Sequence, residues 1–333
     1  MTPDGIVLGV LEQSAHTREQ NKDPASPSEK RRRNIEDKES HRWLETMSKS
    51  AEGIPLDIKL LHVCDREGDM YELFEKASST GQLFLIRVAQ NRLTTDNKKI
   101  IDEIKSRRHQ GFMKVSVPRN SRTNTKARET ILEVNYHSFK LKKPRALERN
   151  HELQEMVAVN VIYVREKSDV LSNEPIEWIL VTNDPVNSID DAREKIENYV
   201  QRWKIERFHY VLKSGCAVEK IQEREASKIV ALLLMYSIIS FFIMNLTYMA
   251  RINPDVSCSI LFDEDEWKVL YCAGNRTKIP PNEPYSIKDA VTYFGHLGAP
   301  KRAPSDGPPG LKTIWIGLSN LHLLLSYREI LCV

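Results

Sequence analysis

Residues 192–215, AREKIENYVQRWKIERFHYVLKSG, restrict the fold more than any other stretch. The pattern predicts one helix. Ile196, Val200, Trp203 and Val211 form an apolar stripe, extended by Phe208 and Leu212, that has to dock on a core. Beside it run Tyr199, Arg202, Glu206 and Lys213, spaced Y-x2-R-x3-E-x6-K. At about 100° per residue these four fall within an arc of roughly 60°. A carboxylate that binds metal beside cations that bind phosphate is what phosphodiester chemistry needs. The same spacing also describes a solvated helix face held by Glu–Arg pairs.

The rest of the chain weighs on that choice. Its 333 residues can bury a full core and are expected to hold two or three subdomains. A net charge of +3, from 49 basic and 46 acidic residues, does not advertise a nucleic-acid binder, so any DNA surface has to come from local clustering. Cys64, Cys216, Cys258, Cys272 and Cys332 show neither C-x2-C pairs nor a matching Cys/His spacing. A disulfide frame and a zinc site are therefore not indicated, and scattered thiols fit a reducing cytoplasm. The opening MTPDGIVLGVLEQ lacks the basic start and long apolar run of a signal peptide. Ile229 to Met249 is long enough to span a bilayer. Ser237, Ser240, Asn245 and Thr247 interrupt it, so a buried helix and no membrane partner are expected.

Gly5 to Gln13 reads as a strand with the continuous apolar run of one covered on both faces. His16 to Arg33 reads as a surface loop, and its run Lys30 to Arg33 could touch a phosphate backbone. A helix is expected from Ile35 to Lys49. Leu56 to Val63 is the next strand, running into Cys64-Asp65-Arg66-Glu67-Gly68-Asp69 and a helix from Met70. A carboxylate at the carboxyl end of a strand is where open α/β sheets place functional groups, which favours Asp65. Asp69 is read as structural, an N-cap for the helix after it. Gln82 to Ala89 is a third strand. Its Arg87 sits among apolar residues and needs an acid or a phosphate as partner.

From Phe112 to Trp178 the pattern changes to alternation, in MKVSVP, ETILEVNYHSF and MVAVNVIYV, separated by the polar loops Arg119 to Arg128 and Lys142 to Gln154. Trp178 to Thr182 reads as a return to the buried sheet, and Ser188 to Asp191 offer caps for the central helix. That helix is expected to end at Gly215 as a C′ glycine. The remainder is expected to be mostly helical, with a breaker-rich loop at Ala303 to Gly310.

Taken together, these stretches resemble the DDE transposases of the insertion-sequence-four family, transposon-five type. Cys64 to Asp69 is similar to that family's V-C-D-R-E-x-D segment. Tyr199, Arg202, Glu206 and Lys213 match its Y-R-E-K signature. Lys38-Glu39-Ser40 with Arg42-Trp43-Leu44, and Trp178 to Thr182, resemble further family stretches. The likeness runs from about residue 5 to 225.

The resemblance implies an α/β fold: an RNase H-like mixed sheet with helices, an inserted antiparallel β subdomain and a helical C-terminal region. The expected divisions are 1–110 and 178–215 for the catalytic core, 111–177 for the β insertion, and 216–333 for a helical, possibly dimerising domain. It implies Mg2+, with Mn2+ able to substitute, bound by carboxylates of which Asp65 and Glu206 would be two. Tyr199, Arg202, Lys213 and Arg87 would hold DNA, and Trp178 would stack on an extruded base. Read without the resemblance, Trp178 serves as plain core. Transposon-end DNA is the implied partner, with a homodimer or pairing with a full-length transposase, in a bacterial cytoplasm at the nucleoid. The family's first catalytic Asp and its DNA-recognition domain lie before the matching stretch. At position 210, within the signature helix, this chain has Tyr where the transposon-five type has a cation. The expectation is therefore a transposase copy truncated at its start and impaired in catalysis. A non-catalytic DNA-binding or inhibitory fragment is the alternative.

Overall fold

The computed structural model describes residues 1–14, 26, 29, 33, 35–55, 57–117, 126–148, 150–167, 175–299 and 307–331. Most of the His16 to Arg33 loop, including Lys30 to Arg32, lies outside them, as do much of the Arg119 to Arg128 loop and part of Ala303 to Gly310. The fold is mixed α/β and divides into two compact units. One comprises Glu12–Arg202; the other joins Met1–Leu11 to Trp203–Val333.

The first unit is built on one six-stranded sheet in the order β1-β2-β6-β5-β4-β3. Its strands are β1 (Leu61–Cys64), β2 (Leu83–Arg87), β3 (Gly111–Val117), β4 (Arg128–Lys142), β5 (Met156–Glu166) and β6 (Glu177–Thr182). β1 and β2 pair in parallel, and every other pairing is antiparallel. The strands from 111–177, expected as an inserted subdomain, continue this sheet through β6. Period-two alternation gives the sheet two apolar faces. On one, α1 (His41–Ala51), α2 (Tyr71–Ser79) and α3 (Ile100–Ser106) cover Phe84, Ile86, Val161 and Val181. There Phe74 stacks on Phe84 at 4.8 Å. On the other, α4 (Ile189–Gln201) sets Ala192, Ile196 and Tyr199 against Leu85, Ile162 and Leu180. The start of α4 is fixed by a capping box. Asp191 N–H donates to the Ser188 hydroxyl at 3.1 Å, and Ser188 N–H donates to the Asp191 carboxylate at 3.0 Å.

The second unit is helical: α5 (Trp203–Tyr210), α6 (Ala226–Ile252), α7 (Glu264–Asn275), α8 (Ile287–Gly298) and α9 (Leu311–Leu331). Phe262, Trp267, Leu270, Phe294 and Ile314 are in its core. Gly5 to Gln13, expected as a strand, forms none. Its carbonyls are taken by side chains instead: Asn245 Nδ2 donates to Val7 O at 2.7 Å, and Lys204 Nζ donates to Gly5 O. Leu8, at 62% exposure, and Leu11, at 60%, face outward, so the apolar run marks no buried strand.

Helix α6 was expected to be buried. By length and composition it could cross a membrane, and 28% of its most apolar window is buried. Its buried residues start at Ser237 and are otherwise in its second half: Ser240, Ile243, Met244, Leu246 and Thr247. The hydroxyls that interrupt its apolar run are buried and satisfied: Ser237 donates to Leu233 O and Thr247 to Ile243 O. Val230, Leu234, Met235 and Ile238 in the first half are exposed.

Candidate functional site

Two strand ends and one helix build the site within the first unit. Leu61 and Val63 of β1 face the α4 side, so alternation carries Asp65, the next residue in phase, to the same face. Leu85 of β2 faces that side too, and Arg87 follows it in phase. Because β1 and β2 are parallel, Asp65 and Arg87 emerge together at the carboxyl ends of neighbouring strands. α4 lies over this face and ends there with Tyr199 and Arg202.

These four side chains interact. Arg87 and Arg202 lie within hydrogen-bonding reach of the Tyr199 hydroxyl, and the Arg202 guanidinium is 5.9 Å from the Tyr199 ring centroid. Burial raises the Tyr199 phenol above its ordinary value; Arg202 and Arg87 pull it back down, and the Asp65 charge pushes it up. Arg87 has its pKa lowered, first by burial and then by Arg66 and Arg202. Its partners are a phenol and the Glu177 carbonyl, at 3.2 Å, beside two like charges. A group of guanidiniums around a phenol at a sheet end is suited to an anion whose oxygens accept several N–H donors. Trp178 is half-buried in the sheet's α4-side core. Its ring meets that of Tyr199 edge-on at 5.5 Å and 63°.

The turn that presents Asp65 is held from below. Asp65 Oδ1 accepts from Glu67 N–H at 2.9 Å and caps the short helix Arg66–Gly68. A Cβ on Gly68 would sit 2.6 Å from Cys64 Cβ, so the turn returns against its own strand only because residue 68 has no side chain. Asp69 is structural, as expected, but it is not an N-cap; Met70 occupies that place, without a side-chain bond. The Asp69 carboxylate accepts from Ala89 N–H at 2.6 Å and Gln90 N–H at 2.7 Å. It also accepts from Arg92 Nε at 3.1 Å and Nη2 at 2.8 Å, with both side chains almost fully buried. This buried pair ties the Asp65 turn to the segment just after Arg87. Glu67 is engaged by Arg42, which also bridges to Glu39. The resemblance to the Lys38–Leu44 stretch thus corresponds to a helix N-terminus clasping the same turn.

The remaining signature residues belong to the second unit. The stretch expected as one helix is divided into α4, α5 and a π turn at Val211–Gly215, and the division between units falls between Arg202 and Trp203. A constant 100° per residue therefore does not carry from Tyr199 to Lys213. Glu206, half-buried in the first turn of α5, raises the pKa of His209; burial and Lys213 lower it, and the net shift is downward. Lys213 pairs with Glu219 at 3.2 Å on an exposed surface. Gly215 is not a left-handed cap; Ala217, at φ 54°, takes that conformation two residues later.

Arg66, beside Arg87 in the first unit, and His209, beside Glu206 and Lys213 in the second, are residues to which the sequence reading gave no role. Both stood inside the quoted motifs, and their signal was a charge or imidazole beside a proposed ligand. Among the described residues, no group of three His, Cys, Asp or Glu side chains is close enough to hold a metal ion. No family model matches the chain.

Proposed function

We propose that the chain is a DDE-type DNA transposase by descent, with an RNase H-like core. It binds transposon-end DNA at the face formed by Asp65, Arg87, Tyr199 and Arg202. One observation carries this reading: the Asp65 carboxylate and the guanidiniums of Arg87 and Arg202 gather about one phenol at the carboxyl ends of two parallel strands, with Arg66 near Arg87. Phosphodiesters need cationic donors for their oxygens and a hard oxygen ligand for the metal.

Arg87 and Arg202 hold the phosphate, and the Tyr199 hydroxyl orients it by hydrogen bonding. By the resemblance, Lys213 would be a further phosphate-binding cation. Trp178 stacks on a base lifted out of the helix. Mg2+ binds through one or two carboxylates together with substrate phosphates. Asp65 fits that pattern, and Glu206 is the second candidate ligand. When bound, Mg2+ or Mn2+ would activate the attacking oxygen and stabilise the leaving one.

The surplus of guanidiniums around Asp65 favours one alternative. In it the chain binds DNA without cutting it, alone or paired with a second transposase chain.

Fluorescence anisotropy against salt tests the shared part of both readings. Arg87→Ala and Arg202→Ala are each expected to reduce the salt slope of DNA binding by about 1. Trp178→Ala is expected to weaken binding to DNA carrying an unpaired base by about 1–3 kcal/mol, with little change on fully paired DNA. Unchanged slopes for both arginine variants would remove the proposal. Cleavage of transposon-end DNA in Mg2+, abolished in Asp65→Asn, separates the enzyme from the binding protein.

A further inference from the structure

Beside the carboxyl end of α3, on the sheet face away from α4, lies a cavity of about 190 Å³. Its walls hold four permanent cations, Lys105, Arg107, Arg108 and Arg165, against one carboxylate, Glu133. Lys105 is in the last turn of α3, and Arg107 and Arg108 follow that helix directly. β4 and β5 supply the floor. Asn135 is opposite Tyr163, and Glu133 is opposite Arg165 two residues away, on the same face.

The acids near these cations are engaged without using up the donors. Arg165 Nε donates to Glu133 at 2.6 Å, and Lys105 Nζ meets Glu177 at 2.7 Å. A guanidinium and an ammonium each have further N–H groups to give. Arg107 is 4.0 Å from Glu103, and among the described residues Arg108 has no ion pair.

Surface cations alone are commonplace, and Asn135 gives these a ligand. It lines the cavity and is only 4% exposed. Its Nδ2 donates to Ile104 O at 3.3 Å and to Arg107 O at 2.8 Å. Turning the amide over would set its oxygen against two carbonyls, so these bonds fix which arm is nitrogen. The other arm, Oδ1, is buried and accepts from no donor. A buried acceptor left unmatched is costly, and this one calls for an N–H or O–H.

The matching ligand offers acceptor oxygens to the cations and one donor to Asn135. The cavity is smaller than the roughly 300 Å³ at which ordinary small-molecule sites begin, so that ligand is compact. Hydrogenphosphate has three bare oxygens and one P–OH. Sulfate has the same shape and charge but no proton. A phosphomonoester loses its last proton at about pH 6 and then lacks the donor as well.

We propose that this cavity is a binding site for inorganic hydrogenphosphate, its P–OH donating to Asn135 Oδ1 and its bare oxygens accepting from Arg107, Arg108 and Arg165. The site is separate from the DNA face and stands or falls independently of the transposase reading.

Isothermal titration of the full chain with sodium phosphate at about pH 8, where inorganic phosphate keeps one proton and methyl phosphate none, tests it. Saturable one-to-one binding is expected, at least about tenfold tighter than for sulfate or methyl phosphate at equal ionic strength. Arg108→Gln, on the exposed side, should weaken phosphate binding by about tenfold. Asn135→Ala should bring phosphate down to the level of sulfate. Because that variant also removes the amide that holds the end of α3, the parent's preference for phosphate over sulfate and the effect of Arg108→Gln serve as tests that leave the core intact. The Arg87–Arg202 face also attracts oxyanions, so the titration is repeated in Arg202→Ala, which should keep the binding described here. Absence of saturable phosphate binding, sulfate or methyl phosphate binding as tightly, an unaffected Arg108→Gln protein, or loss of the binding in Arg202→Ala would each overturn the proposal.

Discussion

Arg87 shows how a single side chain can be read from sequence and where that reading stops. Its apolar neighbours in LFLIR demanded a partner, and the partner turned out to be a phenol among like charges rather than an acid. Asp65 and Arg87 come to one face because a strand reverses its side at every residue and β1 and β2 pair in parallel, a pairing that the sequence did not show. The role of Asp69 was not legible. Its ligands Ala89, Gln90 and Arg92 come from a different strand end, and only the parallel pairing of β1 with β2 brings them to it. Asp69→Asn is expected to lower stability by about 3–5 kcal/mol, since it leaves the Arg92 charge buried without a counterion. Urea unfolding checks this; a variant as stable as the parent would contradict it.

Glu166 gives a pH dependence at the same scale. Hydrogen bonds from Arg128, at 2.9 and 3.0 Å, and from Ile176 N–H, at 2.9 Å, hold its carboxyl down to about 2. A depressed carboxyl stabilises the fold fully above its unfolded value of 4.5, and that contribution is lost as pH falls through about 2. Glu166→Gln is therefore expected to cost about 2 kcal/mol at neutral pH and to flatten the loss of stability between those values. Unfolding curves collected across that range measure both effects.

Among the elements, those with a strong local period were the most legible. Strands β3 to β6 fall close to where alternation puts them. Three features were hidden for physical reasons. The apolar run at Gly5 to Gln13 could be a strand or simply a covered segment, and a short run carries no period to decide. The end of the signature helix is set by a π turn and a left-handed Ala217, which no glycine announces. The joining of 111–177 to the main sheet depends on β5 pairing with β6, a contact between strands that alternation cannot register. The packing of α8 on α9 offers an element-scale test. A Cβ on Gly317 would lie 2.3 Å from the Phe294 carbonyl oxygen, so the two helices touch at backbone distance. Gly317→Ala should gain up to about 1 kcal/mol of helix propensity but lose about 1–3 kcal/mol to overpacking. A lower melting temperature is expected, and a higher one would show that the crossing is loose.

For the molecule as a whole, each of the two units has its own core, and the signature stretch passes from one to the other at Arg202. Asp65, Arg87, Trp178, Tyr199 and Arg202 belong to the first unit; Glu206 and Lys213 belong to the second. The central claim is that Asp65 and its guanidinium neighbours form one metal-assisted phosphodiester site. The most direct measurement is the DNA affinity of the full chain as Mn2+ is added, for the parent, Asp65→Asn and Arg202→Ala. The account predicts that Mn2+ tightens binding in the parent, that Asp65→Asn loses this metal increment, and that Arg202→Ala keeps the increment while starting from a weaker baseline. An Asp65→Asn protein whose DNA affinity still responds to Mn2+ as the parent's does would contradict it.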